Sequence, residues 1–142
     1  MAAHKTLDDL YASGPVEGKT ILLRADLNVP AKDGKVTDAT RLERLLPTIK
    51  ELASKGAKVL ILSHFGRPKG ERVPEMTLAP VAVALGELLG IDVAFAVDCI
   101  GDSAKAAAEA LPKGGVLVLE NTRYHAGEEK NDPAFAKALA EL

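Results

Sequence analysis

Several residue types that mark whole classes of protein are scarce in this sequence of 142 residues. It contains one cysteine, so no internal disulfide can form, and such usage is typical of a reducing cytoplasm. No uninterrupted apolar run reaches the roughly 18 residues that a membrane span needs. The formal net charge is only −2, which argues against a chain built mainly to bind nucleic acid or a membrane surface. We therefore expect a soluble, cytoplasmic protein without nucleic-acid or membrane partners.

Aromatic residues are also few, at 4 %, but apolar residues as a whole make up 47 % of the chain. They form four short runs that predict β-strands, at residues 20–24 (TILLR), 58–63 (KVLILS), 92–96 (DVAFA) and 115–120 (GVLVLE). Three of these runs are almost continuously apolar, as are strands that are covered on both faces of a parallel sheet.

Segments with helical spacing of apolar residues separate these runs. Residues 41–55 predict a helix that ends at Gly56, and Pro47 inside it predicts a kink or two shorter helices. Three further helices are expected, capped by Thr77 (residues 78–89, ending at Gly90), Asp102 (103–111) and Asp132 (from Pro133 onward). Strands that alternate with helices predict an α/β fold, an open parallel sheet with helices on both faces in a Rossmann-like three-layer arrangement.

Cationic side chains follow the predicted strands. Open α/β sheets bind ligands beyond the carboxyl ends of their strands. Three of the four predicted strand ends carry an arginine, namely Arg24, Arg67 and Arg123. His64 follows the second strand directly, and Arg41 opens the first long helix. Because guanidinium groups bind carboxylate and phosphate in a bidentate manner, we expect a small ligand that carries both groups.

Each candidate residue also has a purely structural interpretation. An arginine at a strand end is commonly solvated or ion-paired at the surface. His64 and His125 could be structural histidines, and Asp26 and Asn28 could serve only as turn or capping residues. Cys99 is interpreted as a small buried hydrophobe. The convergence of several cations on one sheet edge favours an anion site over these separate interpretations.

One segment is similar to a phosphate-binding P-loop, at residues 14–20 (GPVEGKT). It has three residues between its glycines where the motif needs four, and it precedes a strand instead of following one. No paired-cysteine site, H-E-x-x-H or G-x-G-x-x-G motif occurs in the sequence. We therefore predict no nucleotide, cofactor or metal site in this chain.

At its strand ends the sequence resembles the phosphoglycerate kinase family. The similar segments are residues 24–30 (RADLNVP), 37–41 (TDATR), 56–70 (GAKVLILSHFGRPKG), 98–101 (DCIG) and 120–135 (ENTRYHAGEEKNDPAF). They occur in the family's order, and departures such as Ala25, Leu27 and Phe65 touch no charged position. The resemblance implies a two-lobed glycolytic kinase that exchanges a phosphoryl group between 1,3-bisphosphoglycerate and ADP, giving 3-phosphoglycerate and ATP.

The resemblance also implies roles for individual residues. Asp26 and Asn28 would lie at the hydroxyl and carboxyl end of the glycerate. Arg41 would be the catalytic residue, beside the reacting carboxyl group and the phosphoryl group in transfer. The residues implied around the non-reacting phosphate and in its loop are His64, Phe65, Gly66, Arg67 and Arg123, with Arg24 as a possible support. One further arginine of the family's patch would lie beyond Leu142.

The resemblance covers nearly the whole chain, which stops within a predicted helix. We therefore expect residues 1–142 to form an incomplete N-terminal 3-phosphoglycerate-binding domain, inactive alone, with the nucleotide-binding C-terminal domain absent. The complete enzyme would use Mg-ADP and Mg-ATP on that second domain, and it would be a monomer whose partners are small-molecule substrates. The alternative is a non-catalytic anion-binding module that reuses this half-fold.

Overall fold

A parallel sheet forms the centre of the protein. The computed structural model describes residues 6–66, 68–130 and 132–142. Four strands, β1 (Thr20–Arg24), β4 (Lys58–Leu62), β5 (Ala94–Ala96) and β6 (Val116–Leu119), lie side by side in the order β1-β4-β6-β5. All three neighbouring pairs are parallel. Two short strands, β2 (Ala31–Lys32) and β3 (Lys35–Val36), form a separate antiparallel hairpin.

Helices cover both faces of this sheet. They are α1 (Leu7–Ala12), α2 (Thr40–Glu43), α3 (Leu46–Ser54), α4 (Ala79–Leu89), α5 (Gly101–Ala110), α6 (Ala126–Glu129) and α7 (Pro133–Ala140). Side chains of α3 and α4 share one core with Val59 and Ile61, whereas those of α5 and α7 share another with Leu60. Neighbouring strand residues point to opposite faces, so the buried β4 contributes to both cores. The predicted α/β class and its helices on both faces are confirmed.

Most of the predicted elements are present within one or two residues. The long helical segment is two helices, α2 and α3, and Pro47 lies in the first turn of α3, where a missing amide costs least. Gly56 and Gly90 follow α3 and α4 with positive φ angles of 81° and 72°. The Asp132 side chain accepts a hydrogen bond from the Ala134 amide, as predicted for a cap of α7.

Two predicted caps are corrected by the structure. Helix α5 begins at Gly101 with Ile100 as its N-cap, so Asp102 lies in the first turn, where its charge faces the helix dipole. Helix α4 has Leu78 as its N-cap. The Thr77 hydroxyl accepts only a long bond from the Ala79 amide, 3.3 Å, because it donates to a buried carboxylate at 2.5 Å.

The helices α1 and α6 and the β2–β3 hairpin are among the elements that were not predicted. Helix α1 has a capping box in which Thr6 and Asp9 each bond the other's backbone amide. Helix α6 has only four residues and lacks an apolar period of its own. Within the described part of the chain, no helix combines the length and the apolar character that a bilayer span requires.

Candidate functional site

Buried polar side chains join the loops at the carboxyl edge of the sheet. Among the described residues, four polar side chains are buried, and all of them follow β4 or β6. They are Ser63, Glu120, Asn121 and Thr122. Thr122 donates from both its amide and its hydroxyl to the Ser63 carbonyl, each at 3.0 Å. The Ser63 hydroxyl accepts from the Leu27 amide and donates to the His64 carbonyl, both at 3.1 Å. These bonds fix the loops after β1, β4 and β6 relative to one another.

Asn121 is the most connected of these residues, and 1 % of it is exposed. Its Oδ1 accepts from the amides of Phe65 and Arg123, at 3.1 and 3.0 Å. Its Nδ2 donates to the carbonyls of Phe65 and Met76, at 2.7 and 3.0 Å. The buried Glu120 carboxylate accepts from the Asn121 amide at 2.8 Å. One side chain therefore holds the loop after β4 against the turn after β6.

Asp26, Asn28, Arg41 and Gly66 come together at the ends of β1 and β4. Arg41 donates to the Asn28 carbonyl at 2.9 Å, and its Nη1 lies 3.4 Å from Asp26 Oδ2. The Asn28 Oδ1 accepts from the Gly66 amide at 3.1 Å, and the Asn28 amide donates to Asp26 at 3.1 Å. More than half of the Arg41 and Asp26 side chains is exposed, so both groups face solvent at the sheet edge. Four residues predicted from the sequence therefore form one cluster.

A cavity of about 430 Å³ opens beside this cluster. Residues 28–30, Asp38, Thr40 and Arg41 line it. Asp38 accepts from the hydroxyl and the amide of Thr40, at 2.6 and 2.9 Å, and these bonds lower the pKa of Asp38. The same bonds fix the turn before α2, so they set the position from which Arg41 extends into the cavity wall.

Arg24 and Arg123 are bridged by an acidic side chain that was not among the predicted site residues. Glu128 Oε1 accepts from Arg24 Nη2 at 3.1 Å, and its Oε2 accepts from Arg123 Nε at 3.0 Å. Only 9 % of the Glu128 side chain is exposed. Residues five apart in sequence do not share a helix face, so no local pattern signalled the contact between Arg123 and Glu128.

The loop after β4 is bonded to both clusters, through Gly66 to Asn28 and through Gly70 to Arg123. His64 is half-buried, and Phe65 packs against the apolar core that contains α3 and α4. Arg67, predicted for the phosphate patch, lies outside the described residues. Gly70 has φ +81°, donates to the Arg123 carbonyl at 3.0 Å, and a Cβ on it would lie 3.0 Å from that of Ala126. Glycine is required there because the loop closely approaches the start of α6.

A third cluster lies at the start of α5. His125 Nε2 is 2.7 Å from Asp98 Oδ1, which also accepts from the Cys99 amide at 2.7 Å. Burial alone would raise the pKa of Asp98, but the hydrogen bonds from His125 and the Cys99 amide outweigh it and lower that pKa. Among the described residues, these three offer metal-ligand atoms within 4.8 Å of one another. Burial raises the pKa of the Cys99 thiol to about 12, which opposes the thiolate that a metal would need.

The P-loop-like segment cannot act as one in this fold. It leads into β1, and the Gly18 amide donates to the Gly56 carbonyl at 2.9 Å, so that amide is unavailable to a phosphate. A phosphate cradle needs backbone amides at the start of a helix that follows a strand. The geometry supports the rejection made from the spacing.

The comparisons with known proteins agree with one another. A model of the phosphoglycerate kinase family matches residues 8–142. Curated phosphoglycerate kinases from Methylobacterium radiotolerans and Rhodospirillum centenum are 63 % and 60 % identical over 140 residues, covering 99 % of this chain and 34 % of each relative. Phosphoglycerate kinase structures from Pyrococcus horikoshii OT3 and Coxiella burnetii match 92 % of this chain with a TM-score of 0.79, at 36 % and 38 % identity. This chain covers 34 % and 32 % of those two chains, about a third, as with the curated relatives.

Proposed function

Because the chain belongs to the phosphoglycerate kinase family, we propose that it forms the acceptor-binding part of such an enzyme. The complete enzyme transfers a phosphoryl group between 1,3-bisphosphoglycerate and ADP, giving 3-phosphoglycerate and ATP in glycolysis. The chain spans about a third of its curated relatives, so these substrates are proposed from the family and from the side chains at the sheet edge.

The cluster of Asp26, Asn28 and Arg41 is the observation that carries the proposal. The Arg41 guanidinium group lies at the carboxyl edge of a parallel sheet, beside an open cavity. It is 2.9 Å from the Asn28 carbonyl and 3.4 Å from the Asp26 carboxylate. Ligands of such sheets bind at that edge. We assign the glycerate hydroxyl and carboxyl end to Asp26 and Asn28, and the reacting carboxyl group to Arg41.

The remaining predicted residues are assigned to the phosphate end of the ligand. They are His64, Phe65, Gly66, Arg67 and Arg123, supported by Arg24. The loop that carries the first four is bonded through Asn121 to the turn that carries Arg123. A phosphate dianion bound between that loop and that turn would meet guanidinium groups, which match its geometry.

The chemistry needs positioning and charge neutralisation more than proton transfer. In the ATP-consuming direction the nucleophile is a carboxylate, which is ionised at neutral pH because its pKa is about 4. A general base is therefore not required. Arginine side chains on a rigid sheet edge stabilise the charge that spreads over the phosphoryl oxygens, and closing the site against water strengthens that effect.

We assign the Mg-nucleotide to the part of the enzyme outside these 142 residues. The segment at residues 14–20 does not fit a nucleotide phosphate, as its position before β1 indicates. The chain alone is therefore expected to bind 3-phosphoglycerate without turnover. We further propose that the complete enzyme is monomeric and cytoplasmic. The single, buried Cys99 is in keeping with a reducing cytoplasm.

A titration of the chain with 3-phosphoglycerate, followed by calorimetry and amide NMR shifts, tests the binding proposal. We expect Arg41→Ala to raise the Kd about 10-fold or more, because a hydrogen bond to a charged group is lost. Arg44→Ala is the matched control, since Arg44 is an exposed arginine at the end of the same helix. Failure of the wild-type chain to bind, or equal effects of the two substitutions, would refute the assignment.

Turnover is tested in a chimera that adds the C-terminal two thirds of the Methylobacterium radiotolerans relative. The chimera should show Mg-dependent kinase activity, and the 142-residue chain should show none. Arg41→Ala in the chimera should lower kcat by roughly 10²-fold or more. A decrease of less than about threefold would place Arg41 away from the reacting groups.

A further inference from the structure

Glu128 connects two cations that the strand order keeps apart. Arg24 ends β1 and Arg123 follows β6, and β4 lies between these strands. One carboxylate nevertheless bonds both, at 3.1 Å to Arg24 Nη2 and 3.0 Å to Arg123 Nε. Two guanidinium groups this close to one point repel each other, and an anion between them offsets that repulsion. Glu128 supplies that anion from within the protein.

The backbone just before Glu128 is held at two residues. His125, the residue before α6, bonds Asp98 at 2.7 Å. A Cβ at Gly127 would lie 2.9 Å from that of Phe135 and 3.1 Å from that of Asp132, so α6 is pressed against α7 at this point. The Gly127 carbonyl also accepts from the Asp132 amide at 3.0 Å. Glu128 therefore extends from a rigid part of the backbone, so it can hold the side chains of Arg24 and Arg123 in place.

We infer that Glu128 is a positioning residue, which sets the spacing and orientation of Arg24 and Arg123 for the phosphate group of the ligand. This inference rests on the proposed function, which assigns Arg123 to that phosphate. It opposes the expectation from charge alone, since removing an acidic group beside two cations should strengthen anion binding. Positioning and simple electrostatics therefore predict opposite signs for the same substitution.

The test measures the affinity of the chain for 3-phosphoglycerate and for inorganic phosphate. Glu128→Ala should raise both Kd values about 10-fold, as expected for the loss of a charge-assisted contact. Glu128→Gln keeps one acceptor oxygen and the side-chain volume, so it should recover part of the affinity. Glu141→Gln is the charge-matched control, because Glu141 pairs with Lys105 at 3.4 Å on another part of the molecule. It should change neither Kd by more than about twofold.

A spectroscopic readout reports the positioning directly. The Nε–H resonance of Arg123, which Glu128 accepts at 3.0 Å, should exchange slowly with water in the wild type and rapidly in Glu128→Ala. Circular dichroism of each variant checks whether its secondary structure is unchanged. If Glu128→Ala loses structure, Glu128→Gln decides the question by the sign of its effect on the two Kd values.

The outcomes separate this inference from the proposed function. Unchanged or tighter binding by the Glu128 variants would overturn the inference while leaving the proposed function intact. If the wild type binds inorganic phosphate but not 3-phosphoglycerate, and Glu128→Ala weakens the binding of phosphate, the inference holds and the proposed function fails. Binding of neither ligand by the wild type would refute both.

Discussion

Replacing Asn121 with alanine should be the most damaging single truncation at the carboxyl edge of the sheet. The side chain makes four hydrogen bonds with backbone groups of Phe65, Met76 and Arg123, and it is buried. Each such bond contributes a net 0.5–1.5 kcal/mol or so, which gives roughly 4 kcal/mol for the set. The free energy of unfolding of a typical domain is only about 5–15 kcal/mol.

Urea unfolding followed by circular dichroism measures this loss. Asn28→Ala is the graded control, because the Oδ1 of Asn28 accepts one bond from the Gly66 amide at an exposed position, and its loss should cost about 1 kcal/mol. Hydrogen exchange adds a local readout. The amides of Phe65 and Arg123 donate to the Asn121 Oδ1, so they should lose protection in Asn121→Ala before the strands do.

A second substitution checks the direction of the bonds. Asn121→Asp keeps the acceptor oxygen but replaces the Nδ2 donor with an oxygen that faces the carbonyls of Phe65 and Met76. It should therefore destabilise the protein at neutral pH and recover stability as the new carboxyl group is protonated. A loss below about 1 kcal/mol in Asn121→Ala, or exchange rates equal to those of the wild type, would refute the reasoning.

Two further predictions concern the cluster at the start of α5. Cys99 is buried and its thiol pKa is raised to about 12. Iodoacetamide at pH 8 should therefore react with it on the order of 10³-fold more slowly than with a free cysteine, and urea should abolish the difference. Rapid labelling of the folded chain would contradict this. The folded pKa of Asp98 is lowered, so its contribution to stability is complete above an unfolded pKa of about 3.9 and is lost as the pH falls. The stability difference between the wild type and Asp98→Asn should therefore close below about pH 4, and a constant difference from pH 3 to 7 would contradict it.

The sheet and most of its helices could be predicted because their signals are local. The apolar runs at β1, β4 and β6 and the glycines after α3 and α4 identify these elements with short windows of sequence. The cap of α5 could not be identified this way. Asp102 is a good capping residue by type, but the chain turns at Gly101 with φ +86°, a conformation that glycine adopts freely, and the helix starts two residues earlier than predicted.

The candidate site shows the same division between local and distant signals. Arg24 and Arg123 could be expected at one edge of the molecule because strand ends in a parallel sheet meet there. Glu128 could not, since its contact with Arg24 joins residues 104 positions apart, one in β1 and the other in α6. The contact of the Glu128 carboxylate with two cations can be predicted only when the packing of α6 against α7 is known.

The position of the site depends on buried polar groups more than on the apolar core. The buried polar side chains of the described residues, Ser63 and residues 120–122, all follow β4 or β6, where the loops begin. An apolar contact tolerates small shifts, but a shift of even less than one ångström is enough to break a buried hydrogen bond. A truncation in the core such as Leu60→Ala should therefore lower the free energy of unfolding and leave ligand affinity in the folded fraction unchanged. Truncation of Asn121 should lower both, because it releases the loop after β4 from the turn that carries Arg123.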